Sequence, residues 1–178
     1  MKGDQHQVKK AAEDMGDKLQ GETKEQYEQV AKKIVKQGAF PKDALGLSDS
    51  MVEGIYGQAY RLYNTGKYRD AGQLFRLLIM IEPTQSKFTM GLAACLHMCK
   101  DYQAAVEAYA LCSIIDPDSP IPHYHASDCY LQMKDKLSAL VALEMAVKRA
   151  ESREEFKTLK DRALMTIETL KKEISEGK

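Results

Sequence analysis

An all-α fold built from a repeated pair of helices is what this sequence predicts, and three observations support it. Shifting the chain by 34 residues superimposes Ala71, Ala105 and Ala139, and the same shift superimposes Pro83 on Pro117. Tight-turn residues divide the repeating stretches into two segments of helical length. At 178 residues the chain is long enough for one modest core, so we expect a single architecture.

The period of 34 residues also indicates the kind of repeat. Further positions that recur in this register are Phe75, Tyr109 and Leu143; Ala59, Ala93 and Ser127; Leu62, Leu96 and Tyr130; and Tyr68 and Tyr102. This is the period of the tetratricopeptide repeat, two antiparallel helices with small residues at their crossing and a proline after the second. We predict three repeats, at 52–85, 86–119 and 120–153, forming a right-handed superhelix with a concave groove. In the third repeat Glu151 stands where proline is expected.

One further helix is predicted before the repeats. Its apolar positions, three and four residues apart, are Tyr27, Val30, Ala31, Ile34 and Val35. The helix should end near Gly38 and Pro41, which form a usual stop signal. We therefore divide this part of the chain into a charged, disordered tail at 1–21 and an N-terminal helix with its connector at 22–51.

Local signals predict where helices of the repeats begin and turn. Ser50 and Glu53 have the spacing of a capping box, which would start the first helix of repeat one. Between the paired helices, Thr65-Gly66-Lys67 and Lys100-Asp101 predict tight turns, since glycine adopts positive φ easily and charged residues tolerate exposure.

The segment 154–178 predicts a C-terminal capping helix and tail. An apolar stripe at helical spacing runs through a helix rich in lysine and glutamate, at Phe156, Leu159, Ala163, Ile167, Leu170 and Ile174. A solenoid needs such a cap because its last repeat otherwise leaves one face unburied.

Composition excludes several classes of function. The 26 basic and 26 acidic residues cancel, so no net field attracts the chain to nucleic acid or anionic membranes. The four cysteines lie in apolar or helical sequence without C-x-x-C pairs, which favours a reducing cytosol. We find no signal peptide and no run long enough to span a bilayer, and therefore predict no direct membrane insertion.

The sharpest candidate for a binding surface is the stripe formed by Tyr56, Tyr60 and Tyr63. Aromatic residues at helical spacing belong to a core more often than to a site. Here, however, the inward packing positions are Ile55, Ala59 and Leu62, each one residue before a tyrosine and thus about 100° away around the helix. A helix that is apolar on two faces must cover both, so we predict that the tyrosines line the concave groove.

The same register extends the predicted groove into the later repeats. It places Met90, Ala94 and His97 on the first helix of repeat two. In repeat three it places Tyr124, Asp128 and Leu131, of which we interpret Asp128 as a solvated surface carboxylate. Tyrosine and methionine together favour an adaptable site for an extended, partly hydrophobic peptide.

Three stretches carry a resemblance that is more specific than the repeat: IYGQAYRLYNTGKYRDAGQLFRLL, MGLAACLHMCKDYQAAVEAYALCSIIDP and IPHYHASDCYLQM. With the Gly46-Leu47-Ser48 lead-in, they resemble the class II chaperones of bacterial type III secretion, the SycD/LcrH family that IpgC and SicA also typify. The likeness spans residues 23–170. The chain departs from the family in its long charged N-terminal tail.

The resemblance implies a function, a partner and a location. Such chaperones keep the hydrophobic translocator proteins of the secretion needle soluble in the bacterial cytoplasm, holding a short proline-containing client segment in the groove. By this likeness Tyr56, Tyr60 and Tyr63 match the groove tyrosines. The helix at residues 27–35 matches the segment through which the family dimerises, so a homodimer is expected.

Other binding functions stay open at this stage. A general tetratricopeptide-repeat adaptor could hold an extended peptide of another partner, and a scaffold could cover its tyrosines with a second copy of the chain. An adaptor that grips a C-terminal carboxylate is disfavoured, because the clamp positions lack cationic donors. Those positions hold Tyr56, Tyr60, Gly91, Ile121 and His125.

Catalysis and metal binding are the alternative functions from a class other than protein binding. His123 and His125 are two residues apart and splay around a helix, while Cys95 and Cys99 lack the paired motif of a zinc site. The chain contains no nucleophile elbow, phosphate loop, zinc-protease or dinucleotide motif. We predict no enzyme activity, no cofactor and no metal.

Overall fold

The structure, a computed structural model, describes residues 41–176, which fall into two units that meet in sequence between residues 49 and 50. In the first unit, helix α1 (Pro41–Ala44) ends in a turn at Gly46, whose φ of 68° suits glycine. The Leu47 N–H closes this turn on the Lys42 carbonyl at 3.0 Å. The tail at 1–21 and the predicted helix at 27–35 lie outside the described residues.

Three consecutive helix pairs follow. They are α2 (Asp49–Asn64) with α3 (Tyr68–Ile81), α4 (Ser86–Met98) with α5 (Tyr102–Ile115), and α6 (Ile121–Gln132) with α7 (Lys136–Ala150). Among residues 41–176 every regular element is helical, so the all-α prediction is confirmed. The predicted capping box is wrong: α2 begins at Asp49, which puts Ser50 inside the first turn, and Glu53 pairs instead with Lys87.

The turns within the pairs repeat the same geometry. Gly66, Lys100 and Lys134 stand one period apart, with φ of 77°, 63° and 63°. In each turn the next residue donates its N–H to a carbonyl five residues back, as Lys67 does to Leu62 at 2.9 Å. These bonds satisfy carbonyls that the helix end leaves without partners. Lysine thus occupies a left-handed conformation that suits glycine at two of the three turns.

Replacing Lys100 or Lys134 by glycine is expected to stabilise the protein. Each lysine has a φ of 63°, where a Cβ is strained, and removing it should gain about 0.5–1 kcal/mol after the entropy cost of glycine. The midpoint temperature of thermal unfolding should rise by about 2–4 °C for each kcal/mol of added stability. Lys67→Gly is the matched control, since Lys67 has a φ of −85° and should not gain stability. A gain of equal size at all three positions would contradict this explanation.

Small residues occupy the crossings of the helices, as the repeat requires. Ala71, Ala105 and Ala139 are each fully buried, and so are Ala59 and Ala93. The large residues of the register, Phe75, Tyr109 and Leu143, are also buried and fill the space between neighbouring pairs. Because this core is continuous along the stack, each pair depends on the next.

A capping helix completes the stack. After a short 3-10 turn at Glu154–Phe156, α8 (Lys157–Ser175) buries Ala163, Ile167 and Leu170 in one cluster with Ala139 and Leu143 of α7. The predicted cap is therefore confirmed. Glu151, which replaces the expected proline, ends α7 with a φ of 47°.

Candidate functional site

An apolar pocket of about 240 Å³ lies on the face formed by the first helices of the pairs, α2, α4 and α6. We call this surface the first-helix face and the cavity the aromatic pocket. Its lining residues come from α2, α3 and α4, and are Tyr56, Tyr60, Tyr63, Phe75, Lys87, Met90, Gly91 and Ala94. The three tyrosines predicted from sequence, together with Met90 and Ala94, thus share one cavity.

The three tyrosines differ in how firmly the core holds them. Tyr56 lies between two buried rings, with its centroid 6.1 Å from Phe75 and 5.7 Å from Phe88. Tyr60 stacks on Tyr56 at 6.4 Å and leaves 54% of its surface exposed. Tyr63 meets Tyr68 edge to face at 5.3 Å and is half-buried. Tyr60 is therefore the ring that a ligand can contact most readily without displacing core residues.

Gly91 allows the floor of the pocket to form. A Cβ at this position would lie less than 3.0 Å from three carbon atoms of the Phe75 ring, so no other residue fits without movement of that ring. Phe75 is 2% exposed and lies close against the Gly91 backbone. The pocket therefore depends on this close approach between α3 and α4.

Lys87 lines the pocket without leaving its charge unpaired. Its Nζ lies 2.5 Å from the Glu53 carboxylate and 4.8 Å above the centre of the Tyr56 ring. Both contacts favour the ammonium group at this place. The contact with Glu53 joins α2 to α4 beside the aromatic pocket.

His97, the other site residue predicted on α4, lies away from the pocket. Its Nε2 is 2.9 Å from Asp128 Oδ2 on α6, and its ring meets Tyr109 edge to face at 6.4 Å. His125 also contacts Tyr109, stacking on its ring at 5.7 Å. Desolvation lowers the pKa of His125; the neighbouring His97 lowers it further, and Asp128 opposes the shift.

Asp128 leaves 52% of its side-chain surface exposed, as the sequence interpretation of a solvated carboxylate expects, and it also pairs with His97. The repeat register contained a signal for this contact. Asp128 follows His97 by 31 residues, which is one period less three, so it lies one helical turn before the position equivalent to His97. Sequence reasoning also missed Phe75, Lys87 and Gly91 as lining residues.

The last two predicted site residues belong to different surroundings. Tyr124 and Leu131 of α6 are half-buried and pack against the cluster that α7 and α8 form. Tyr124 also contacts His125 edge to face at 5.8 Å. The part of the first-helix face at repeat three is thus partly occupied by the capping structure.

A larger cavity of about 440 Å³ is lined by the second helices α5 and α7 together with α6. Its wall includes Leu137 and Val141, which are 66% and 61% exposed. Its aromatic groups are Tyr109, His123 and Tyr130, of which Tyr109 is buried in the core. We favour the smaller aromatic pocket as the site because stacked tyrosines hold their shape and offer hydroxyls to a ligand backbone.

Three of the four cysteines act as packing residues. Cys95, Cys112 and Cys129 are buried, and desolvation raises their pKa values to about 12, 11 and 11. Between residues 41 and 176 no cluster of three His, Cys, Asp or Glu side chains could hold a metal ion. In the same part of the chain no helix is long and apolar enough to cross a membrane.

We expect one of the four thiols to react rapidly in the native protein. Cys99 is exposed, whereas the raised pKa values of the three buried thiols leave almost no thiolate at pH 7 to 8. A colorimetric disulfide reagent should thus count about one fast thiol per chain, and four after denaturation. Cys99→Ser should remove the fast phase; a fast phase of two or more thiols would contradict the packing.

These features define the class of protein: a tetratricopeptide-repeat solenoid with an aromatic pocket on its first-helix face. The model of the tetratricopeptide repeat family matches residues 52–83 and 86–118. The chain is 32% identical over 147 residues to the chaperone protein SicA of Salmonella typhimurium, covering 81% of this chain and 87% of that one. It therefore belongs to the family of type III secretion chaperones that includes SicA.

Solved structures agree. The translocator chaperone SycD of Yersinia enterocolitica, in complex with a peptide of the translocator YopD, superimposes with a TM-score of 0.67. It is 31% identical, with 70% of this chain and 95% of that chain covered. SycD has also been solved as an alternative dimer, with the same TM-score of 0.67 and 31% identity over 70% and 94% of the two chains. The expected family membership is confirmed.

Proposed function

We propose that this chain is a secretion chaperone that binds a hydrophobic translocator protein of a type III secretion system and keeps it soluble before export. The observation that carries the proposal is the aromatic pocket, where Tyr60 lies 54% exposed above an apolar cavity of about 240 Å³. The peptide of YopD in the SycD structure supports a peptide as the ligand.

The pocket suits a short extended segment that contains proline. Proline and its neighbours favour an extended backbone, so little chain entropy is lost when the segment is fixed. An apolar side chain on that segment would fill the cavity between Met90, Ala94 and the tyrosine rings. Burying this side chain stabilises the complex by about 25 cal/mol for each Å² of apolar surface removed from water.

Covering the apolar segments of the client prevents their aggregation. A membrane-inserting protein exposes apolar segments that aggregate in water, and a bound chaperone hides part of them. This function uses binding alone: it requires neither catalysis nor a cofactor, in keeping with the chaperone role named for the relatives. We place it in the bacterial cytoplasm, where the client waits for export.

A homodimer forms part of the proposal. The alternative dimer of SycD supports self-association in the family. We assign it to the predicted helix at residues 27–35, so that the first-helix face stays available for the client. A chain lacking residues 1–36 should then be monomeric in analytical ultracentrifugation and still bind the client.

The proposal is tested by expressing candidate translocators of the source genome with and without this chain. We expect the client to move from the insoluble to the soluble fraction, and to elute with the chaperone in size-exclusion chromatography. Translocators that aggregate to the same extent with and without the chain would overturn the proposal. Binding of unrelated peptides with equal affinity would instead indicate a general adaptor.

A further inference from the structure

We infer that Asp128 forms a second, polar subsite that selects a lysine or arginine side chain in the bound segment, about three residues from the apolar anchor. This inference rests on the proposed function and deepens it, because it names the client chemistry that the first-helix face recognises beside the aromatic pocket. Its physical basis is a carboxylate held in place within an otherwise aromatic surface.

The position of Asp128 is fixed by contact with the neighbouring helix. His97 Nε2 on α4 lies 2.9 Å from its Oδ2 atom. Its side chain nevertheless leaves 52% of its surface exposed. The carboxylate is therefore oriented by α4 and remains available to a ligand, which distinguishes it from a freely rotating surface acid.

The surroundings of the pair are largely aromatic. The rings that contact His97 and His125 are those of Tyr102, Tyr109 and Tyr124. Asp128 is paired with a histidine, whereas the carboxylate beside the aromatic pocket, Glu53, is paired with the lysine Lys87 at 2.5 Å. A cationic side chain from the client would find a carboxylate at Asp128, and tyrosine rings nearby favour the same charge.

The expected spacing between the apolar anchor and the basic residue of the client follows from α4, which borders both subsites. The aromatic pocket lies between α2 and α4, whereas the His97–Asp128 pair joins α4 to α6. Neighbouring packed helices lie roughly 8–10 Å apart. An extended chain advances roughly 3.1–3.4 Å per residue, so the anchor and the cation should be separated by about three positions.

The experiment selects random decapeptides displayed on phage against the full chain and three variants. Against the wild type we expect enrichment of an apolar residue with lysine or arginine two to four positions away. Asp128→Asn should keep the apolar residue and lose the basic one, and Asp128→Lys should select an acidic residue instead. Tyr60→Ala should lose the apolar preference.

Affinity then gives a quantitative check. A synthetic peptide from the wild-type selection should bind the wild type roughly tenfold more tightly than its Lys→Gln analogue, and the two should bind Asp128→Asn equally. If all three Asp128 forms select the same residues, or the wild type selects only the apolar anchor, the inference is overturned and the proposed function stands. If Tyr60→Ala selects the same peptides as the wild type, the proposed function fails as well.

Discussion

Replacing Tyr60 by alanine is expected to weaken client binding roughly 30-fold, which corresponds to about 2 kcal/mol. The ring stacks on Tyr56 and forms part of the wall of the aromatic pocket, yet it leaves 54% of its surface exposed. Its removal should thus lower affinity while changing the free energy of unfolding little. Isothermal titration with the translocator segment measures the first quantity, and thermal unfolding measures the second.

Two control variants sharpen this prediction. Tyr60→Phe keeps the ring and should retain most of the affinity, which separates the apolar contact from the hydroxyl. Val141→Ala truncates an exposed apolar residue in the larger cavity between the second helices and should have no effect on binding. The account of the site is wrong if Val141→Ala weakens binding and Tyr60→Ala leaves it unchanged.

Replacing Gly91 by alanine is expected to reduce both stability and binding. The added Cβ would lie less than 3.0 Å from the Phe75 ring, which is buried and in contact with Tyr56. Overpacking of this kind costs about 1–3 kcal/mol, and the displaced ring would narrow the aromatic pocket. We expect a lower midpoint of thermal unfolding, by about 2–4 °C per kcal/mol, together with weaker client binding.

Gly57→Ala is the matched control for this prediction. Gly57 lies on helix α2, and a Cβ there meets nothing within 4 Å. Alanine should therefore stabilise the helix by about 0.5–1 kcal/mol without affecting the pocket. If Gly91→Ala behaved like Gly57→Ala in both assays, the close approach of Phe75 to the α4 backbone would not matter for the site.

The register of 34 residues predicted the solenoid because its constraint is local and repeated. Only a small residue fits where two helices of a repeat cross. For this reason alanine recurs at a constant interval, as Ala71, Ala105 and Ala139. The same argument assigned Tyr60 to a surface different from that of the buried Ala59. Helical periodicity is sufficient for such predictions, because both residues lie on one helix.

Contacts between different repeats were less accessible to sequence reasoning. Gly91 and Phe75 stand on α4 and α3, so their approach depends on how closely two helices pack, which periodicity does not contain. The pairing of His97 with Asp128 likewise depends on the stagger between α4 and α6. A register argument assigns a residue to one face of its own helix. Which residue it contacts on a neighbouring helix depends on how the two helices cross.

The end of the solenoid explains why Tyr124 and Leu131 differ from the other predicted site residues. Within the stack, a first helix has another first helix as its neighbour. At repeat three the next element is α8, and both residues pack against the cluster it forms with α7. The positions that the register gave as far as Ala94 line the aromatic pocket, His97 does not, and Tyr124 and Leu131 pack against the cap. Their role in binding a client stays a prediction.

The central claim, that the client covers the first-helix face, is tested most directly by photo-crosslinking. A benzophenone amino acid is placed at Tyr60 in one variant and at Val141 in a second, because both residues are more than half exposed and line different cavities. Each variant is purified with the translocator and irradiated. We predict a crosslinked chaperone–client product from position 60 and none from position 141. A product from position 141 alone would contradict the claim.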